Sequence, residues 1–340
     1  MKKCNFCGTE NEDIAVFCDE CGKSFFKKKC DKCGAENRMS AKFCNQCGNS
    51  FNDDAKSESN KADVARAKHI PIINEPIEEP NIIYYEATQK IELLFINVFT
   101  LSHKFANGKG EVKLIDATPK IWENAFANSE ALTSMVIPNC VKKIGKFAFD
   151  RCINLSKVYL PESLIEIGEY AFRDCFNLSE IEMPDSVTTI ERGAFERCAH
   201  LRSVKFSNSL KKICAYTFRD CINLTDLVIP DSVNELETSA FEGCNSLRSV
   251  VLPNSIEKIN HYLFNDCFNL KSVVIPDSIT NIGECAFNGC INLTSITIPD
   301  SVKEIGHAAF FGCNNLPAET KERIMEINED AFMEEECLPY

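Results

Sequence analysis

No stretch of the chain offers the roughly 20 apolar residues that a membrane-spanning helix needs. The longest apolar run, Leu93 to Val98, is interrupted by Asn97, so no membrane span is expected. The opening MKKCNFCGTENEDIAVFC sets cysteines, asparagines and acids where a secretory signal needs about 7 to 15 consecutive apolar residues, and no such signal is expected. Histidine is scarce: His69, His103, His200, His261 and His307 are scattered over 340 residues. No glycine-rich phosphate loop or paired-carboxylate pocket stands out, which leaves no nucleophile with a base and argues against an enzyme. Positive charge is in the minority, 37 lysines and arginines against 50 acids for a net charge of −13, so the molecule as a whole repels nucleic acid and anionic membrane. The 44% hydrophobic and 26% charged residues exclude a disordered or collagen-like chain.

Cysteine, by contrast, is abundant. The 20 cysteines fall into groups of 8, 8 and 4. The first group forms one pattern twice, offset by 26 residues: Cys4-x2-Cys7-Gly8, nine residues, Cys18-x2-Cys21-Gly22, then Cys30-x2-Cys33-Gly34, nine residues, Cys44-x2-Cys47-Gly48. Two cysteines separated by two residues place both thiolates on one tetrahedral ion, and the following glycine permits the φ > 0 turn that aims backbone N–H groups at the sulfurs. Zinc is the expected ion, two per chain and structural. Cys4, Cys7, Cys18 and Cys21 would hold one, and Cys30, Cys33, Cys44 and Cys47 the other, an arrangement that resembles tandem zinc ribbons. Pairing across the two units is the alternative arrangement, and iron or a redox dithiol the alternative chemistry. A 26-residue unit has too little core to fold by burial, so metal binding, worth roughly 10 to 16 kcal/mol in small zinc peptides, supplies the folding energy. Residues 1–51 hold nine lysines and arginines against seven acids, including Lys27, Lys28 and Lys29. Two zinc ions on eight thiolates add about −4, so the module becomes slightly acidic. The triple lysine is expected to be a solvated joint between ribbons, and nucleic-acid binding through the ribbons ranks below protein docking.

Residues 52–80 are polar, carry three prolines and lack aromatics, as a flexible linker does. Beyond them a strict period of 23 appears. Pro138, Pro161, Pro184, Ser207, Pro230, Pro253, Pro276 and Pro299 are evenly spaced; eleven residues after each stands a phenylalanine, from Phe149 to Phe310. A cysteine follows fourteen after, from Cys152 to Cys313, and a leucine seventeen after, from Leu155 to Leu316. A weaker unit precedes, with Ile121, Phe126 and Leu132 in column, and a frayed one follows, with Ile327 and Phe332 one residue out of register. The alternation in Leu155, Val158, Leu160, Pro161 is a strand signal ended by a residue with no N–H, so each repeat is expected to give one short strand. The Ala-Phe-x-x-Cys segment is expected to be a tight helical turn. One such coil cannot bury its apolar side alone; stacked, the coils share a continuous core and a parallel sheet with strands roughly 4.8 Å apart. The recurring cysteines are expected to stack there as small apolar groups. Asparagine precedes the leucine in six of eight repeats, with His200 and Ser246 the exceptions, and a column of amides suits backbone groups in a turn. Cys140, Cys214, Cys285 and Cys337 follow no column, and Cys337 is the candidate reactive thiol.

Units such as NLTSITIPDSVKEIGHAAFFGC resemble the bacterial BspA-type leucine-rich repeats, over about residues 81–330. NIIYYEATQKIELL with FANGKGEVKLI looks like the amino-terminal cap found before such repeats, and NNLPAETKERI like a carboxy-terminal cap. The resemblance implies a right-handed leucine-rich-repeat solenoid of parallel short strands and short helical turns, used for protein or surface recognition. The expected organisation is zinc ribbon 1 over 1–25, zinc ribbon 2 over 26–51, linker over 52–80, cap over 81–114, about nine repeats over 115–316 and a second cap over 317–340.

In the strand Leu-x-x-Val-x-Leu the residues between the inward ones line the exposed face. The last such position reads Tyr159, Glu182, Lys205, Val228, Val251, Val274 and Thr297. Three consecutive valines flanked by Arg202, Lys205, Arg248 and Lys271 form an apolar stripe with a basic rim that suits an acidic protein partner. The expected function is a cytoplasmic, bacterial, non-enzymatic interaction scaffold. A nucleic-acid-associated protein acting through the ribbons, and an adhesin exported without a conventional signal, are the alternatives.

Overall fold

A computed structural model of the chain describes residues 2–3, 10–11, 27–29, 36–38, 81–91, 100–114 and 120–334. The chain divides into two compact units, Met1–Lys68 and His69–Tyr340.

In the first unit Lys2–Lys3 pairs antiparallel with Glu10–Asn11, and Lys27–Lys29 with Glu36–Arg38. Lys3 faces Glu10 and Lys29 faces Glu36, so the 26-residue repeat of sequence is also a repeat of strand register. The three lysines belong to a hairpin strand of the second copy rather than to a joint between copies, a correction that alternation of residue type could not supply in so short a strand.

The second unit begins with three antiparallel strands, Thr100–Ala106, Lys109–Leu114 and Ile82–Ala87. Asn107 and Gly108 join the first two with φ of 52° and 77°, the two left-handed residues that a tight hairpin turn requires. Ile82–Ala87 then pairs antiparallel with Leu132–Val136, and from there every pairing is parallel. Lys157–Tyr159 pairs with Leu132–Val136 in the sheet of the antiparallel strands, and a separate six-stranded face ladder runs through Glu180–Glu182, Ser203–Lys205, Asp226–Val228, Ser249–Val251, Ser272–Val274 and Ser295–Ile296. The unit is a parallel β-solenoid of about eight turns, each 23 residues long.

Two expectations about the coil are corrected. Each coil contributes two strands, not one: the apolar pair after the proline forms a second parallel ladder, as in Lys143–Ile144 on Glu166–Ile167 and Lys212–Ile213 on Glu235–Leu236. The Ala-Phe-x-x-Cys segment is a run of turns, not helical. Ala148, Asp150 and Cys152 donate within the coil to Gly145, Phe147 and Phe149, while Phe147, Phe149 and Arg151 donate to Glu169, Ala171 and Arg173 of the next coil. Alternate N–H groups thus point along the solenoid axis. A helix would spend all of them internally and leave the coils unlinked at this corner. The alternation puts Phe147 and Arg151 in the left-handed region, and the same columns repeat it at Tyr170 and Asp174, Tyr216 and Asp220, Tyr262 and Asp266.

Inside, the phenylalanine column stacks continuously from Phe126 to Phe310, adjacent ring centroids 4.9 to 5.8 Å apart and planes within 19°. The cysteine column is buried beside it, and each Sγ–H donates to the phenylalanine carbonyl of the preceding coil, from Cys152 to Phe126 at 3.0 Å to Cys313 to Phe287 at 3.1 Å. At the far end the helix Ala318–Ile327 and the 3-10 turn Glu329–Phe332 follow the last coil. Phe332 lies over Phe310 at 6.1 Å, and Phe310 N–H bonds to Ala331 rather than to residue 332, the one-residue slip expected there.

Candidate interaction face

Along the face strands the leucine is buried and the residue three places on is buried, or at Val204 partly buried, while the residues one and four places on are turned outward. Lys271 and Val274 are exposed around buried Leu270 and Val273, and Arg248 and Val251 around Leu247 and Val250. Val228, Val251 and Val274 stand in direct register and are 80%, 60% and 57% exposed. Exposure this high on three aliphatic neighbours leaves an apolar strip in water, which burial against a partner would relieve at about 25 cal/mol per Å². Arg248 and Lys271 stand on adjacent coils, with Lys271 N–H donating to Arg248 C=O at 2.8 Å; Arg202 lies two coils earlier, beyond Thr225.

Tyr159 is placed apart from the valines, three coils away. It belongs to a separate charged hollow lined by Lys157, Tyr159, Glu180, Glu182 and Lys205. There Lys157 pairs with Glu180 at 3.7 Å and Lys205 with Glu182 at 3.6 Å. The hydrogen bond to Tyr159, and then the Glu180 carboxylate, hold Lys157 above the ordinary lysine range. Of the eight expected site residues Tyr159 therefore stands apart, while Lys205, which also lines the charged hollow, lies one coil before Val228, from which the valines run on beside Arg248 and Lys271.

The asparagine column is structural in the way expected. Asn154, Asn223, Asn269, Asn292 and Asn315 donate to Glu130, Ala199, Asn245, Phe268 and Ile291 carbonyls of the preceding coil at 2.7 to 2.9 Å. His200 keeps the contact, its Nδ1 standing 2.8 Å from the Phe176 carbonyl.

Burial pushes every thiol of the cysteine column up, Cys152 and Cys313 to about 12, so these are unreactive neutral groups. Half-buried Cys214 is likewise raised to about 12, by burial and then by Glu237. Cys337 lies outside the described residues, as do the eight metal-ligand candidates Cys4, Cys7, Cys18, Cys21, Cys30, Cys33, Cys44 and Cys47. Among the described residues no group of three or more histidine, cysteine or acidic side chains is arranged to hold a metal, and no helix is long and apolar enough to cross a membrane.

A second apolar row escaped the sequence analysis. The residues immediately after the cysteines include Phe176, Ile222, Phe268 and Ile291, all 39% to 48% exposed. Its signal was present, since six of the eight residues in that column are Ile153, Phe176, Ala199, Ile222, Phe268 and Ile291.

The family model for the BspA type leucine rich repeat region matches residues 119–248 and 234–338, with six copies, which together cover more than half of the chain. The chain belongs to the BspA-type leucine-rich repeat family. Ahead of the leucine-rich repeats, residues 4–48 match the double zinc ribbon family, the segment that holds all eight paired cysteines. Among solved structures, the array is similar to a leucine rich repeat protein of T. pallidum, at 27% identity over 68% of this chain and 94% of that one, with a TM-score of 0.47. It is also similar to a leucine rich cell surface protein from Faecalibacterium prausnitzii A2-165, at 26% identity over 63% and 78% of the two chains and a TM-score of 0.38. A third, the pneumococcal vaccine antigen PcpA, is 22% identical over 63% and 69%, with a TM-score of 0.40. The curated proteins contain no match. The family match alone carries the assignment of the leucine-rich repeat array.

Proposed function

We infer that this leucine-rich repeat protein is a non-enzymatic scaffold that binds another protein on its sheet face, with the amino-terminal ribbons as a metal-stabilised docking module. The observation that carries this reading is the in-register strip of Val228, Val251 and Val274, held outward by a rigid ladder. Repeat arrays bury their own core and leave extended surfaces of this kind for recognition. A photo-crosslinking residue placed at Val251 of the full chain tests it in nuclease-treated native lysate, with Lys258 on the back ladder as control. Capture at position 251 and not at 258, followed by binding of the identified partner in purified form, is the expected result. Capture that vanishes with nuclease would replace the scaffold by the nucleic-acid reading.

For the ribbons, the repeated register of Lys3 with Glu10 and Lys29 with Glu36 closes two equal chain segments, each containing one Cys-x2-Cys pair. That donor set, soft thiolates in pairs, suits zinc, with Cys4, Cys7, Cys18 and Cys21 as one set of ligands and Cys30, Cys33, Cys44 and Cys47 as the other. Zinc, when bound, supplies cross-linking and no redox step. Metal analysis of the full chain is expected to return two zinc ions, and chelation is expected to leave melting of the repeat array unchanged; a single ion per chain would mean that all eight cysteines do not act as two sets. Paired thiolate donors of this kind persist in a reducing cytoplasm, the proposed site of action.

A further inference from the structure

Several columns along the solenoid pair their charges from coil to coil. On the back ladder Lys212 pairs with Glu235 at 3.2 Å; on the turn edge Arg173 pairs with Asp150 at 2.7 Å and Arg219 with Glu242 at 3.2 Å. The column directly after the buried leucine departs from this. It reads Ser156, Ser179, Arg202, Thr225, Arg248, Lys271 and Thr294, with no acid. Among the described residues, Arg202, Arg248 and Lys271 have no carboxylate within ion-pair distance. Arg248 and Lys271 immediately precede the neighbouring strands Ser249–Val251 and Ser272–Val274, and Lys271 N–H donates to Arg248 C=O at 2.8 Å, a placement in which like charges repel. A chain with 50 acids had ample means to neutralise them.

These two cations sit in a cleft lined by Ser246, Arg248, Asn269 and Lys271. The cleft has an apolar rail on each side. Going along one coil, exposed Phe268 comes first, then Asn269 and Lys271 of the cleft, then exposed Val274. The Phe268 and Ile291 carbonyls are tied to Asn292 and Asn315, so the backbone of the first rail is fixed and its side chains are left outward. We propose that this cleft binds an extended acidic segment of a partner protein, its carboxylates over Arg248 and Lys271 and its apolar side chains on the two rails. Nucleic acid fits less well: the rails are mostly branched aliphatics rather than the aromatic platforms on which bases stack, and a net charge of −13 opposes a dense polyanion more than a few carboxylates. The assignment rests on the sheet face being the recognition surface, and gives that surface its partner chemistry.

The test is selection from a displayed library of random peptides of about 12 residues, each able to span roughly 40 Å, against the zinc-loaded full chain at low salt. Enriched peptides are expected to interleave Asp or Glu with Ile, Leu, Val or Phe. A synthetic peptide from that pool should bind roughly tenfold more weakly to the Arg248→Glu, Lys271→Glu double variant, and weaken likewise in about 0.5 M salt, where the screening length is roughly 4 Å. Neutral or basic peptides that are lost with Val251→Asp but indifferent to the charge reversal would overturn the acidic assignment while leaving the face as the recognition surface. Peptides indifferent to all three substitutions, or no enrichment, would remove both readings. Tighter binding of a single-stranded oligonucleotide of about 12 residues than of any selected peptide, abolished by the charge reversal, would assign the cleft to nucleic acid.

Discussion

Along the turn edge, acid and base alternate from coil to coil as Asp150, Arg173, Glu196, Arg219 and Glu242, with Arg151, Asp174, Arg197 and Asp220 alternating in the next column. Along the sheet face, Arg202, Arg248 and Lys271 share a column with serine and threonine and no acid. Both columns repeat every 23 residues and both are bonded coil to coil through the backbone, so geometry alone does not separate them. The turn edge spends its charges on neighbouring coils: Arg173 reaches Asp150 through Nε at 2.7 Å and Nη2 at 3.1 Å, and Arg197 stands 3.9 Å from both Asp174 and Asp220. Where charge is internally paired it sets register. Where it stands unpaired beside exposed valines, it is available to something outside the chain.

The largest effect is expected from the interior that supports both surfaces. All eight thiols of the cysteine column are raised by burial. In the unfolded chain they ionise near about 8.5. The folded state then holds more protons than the unfolded one above that pH, so stability is fully present below it and falls as pH rises toward the folded values. Each thiol contributes a slope of at most about 1.4 kcal/mol per pH unit. Thermal melting followed by fluorescence of Trp122, the only tryptophan, should fall steeply between about pH 8.5 and 10.5. Cys221→Ser, which keeps a donor for the Phe195 carbonyl, should flatten the slope by one thiol's share. A melting temperature constant across that range would mean that the column is not buried in neutral form.

Next comes the paired edge. Asp150 is 7% exposed, and Arg173→Ala would leave its carboxylate without the two hydrogen bonds that hold it, a loss of about 2 kcal/mol in urea unfolding. Adding Asp150→Asn should recover part of that loss, because the stranded charge is removed. Recovery distinguishes a lost pair from lost stacking of the guanidinium on Phe147 and Tyr170, which lie 5.1 Å away. An Arg173→Ala cost below the error of the assay would show that the edge charges are ornamental to folding.

These two surfaces were unequally legible in the sequence. The columns of Phe149, Cys152 and Leu155 and their descendants are visible because a core position accepts few side chains, and so repeats them. The valine strip follows from the same columns by counting outward along a strand. The second ladder and the alternating turn hydrogen bonds are not written in side chains, because they answer to backbone N–H groups that every residue carries. A trace existed: Gly193 stands in the column of Phe147 and Tyr170, and Gly243, Gly289 and Gly312 in that of Arg151 and Asp174. Glycine recurring with tyrosine and aspartate in one column marks a left-handed position, which a helical turn does not contain. The ribbon cysteines are legible by spacing alone, and their arrangement lies outside the described residues.

The smallest effect is the one that most sharpens the contrast. Lys271→Glu sets an acid on the coil next to Arg248 in place of a like charge, converting the face column locally into what the turn edge already is. Cross-strand pairs of this kind are worth roughly 0.2 to 1 kcal/mol, less at an exposed site, so the urea midpoint should rise slightly while Arg173→Ala lowers it. The two substitutions then have opposite signs in one assay, although each changes a single cation in a stacked column. A fall for Lys271→Glu as large as that for Arg173→Ala would mean that Lys271 already serves the fold through a partner within the chain. A small rise would mean that the native column forgoes available stability at this position. Lys271 then has its use outside the chain, where the same substitution should weaken an acidic peptide.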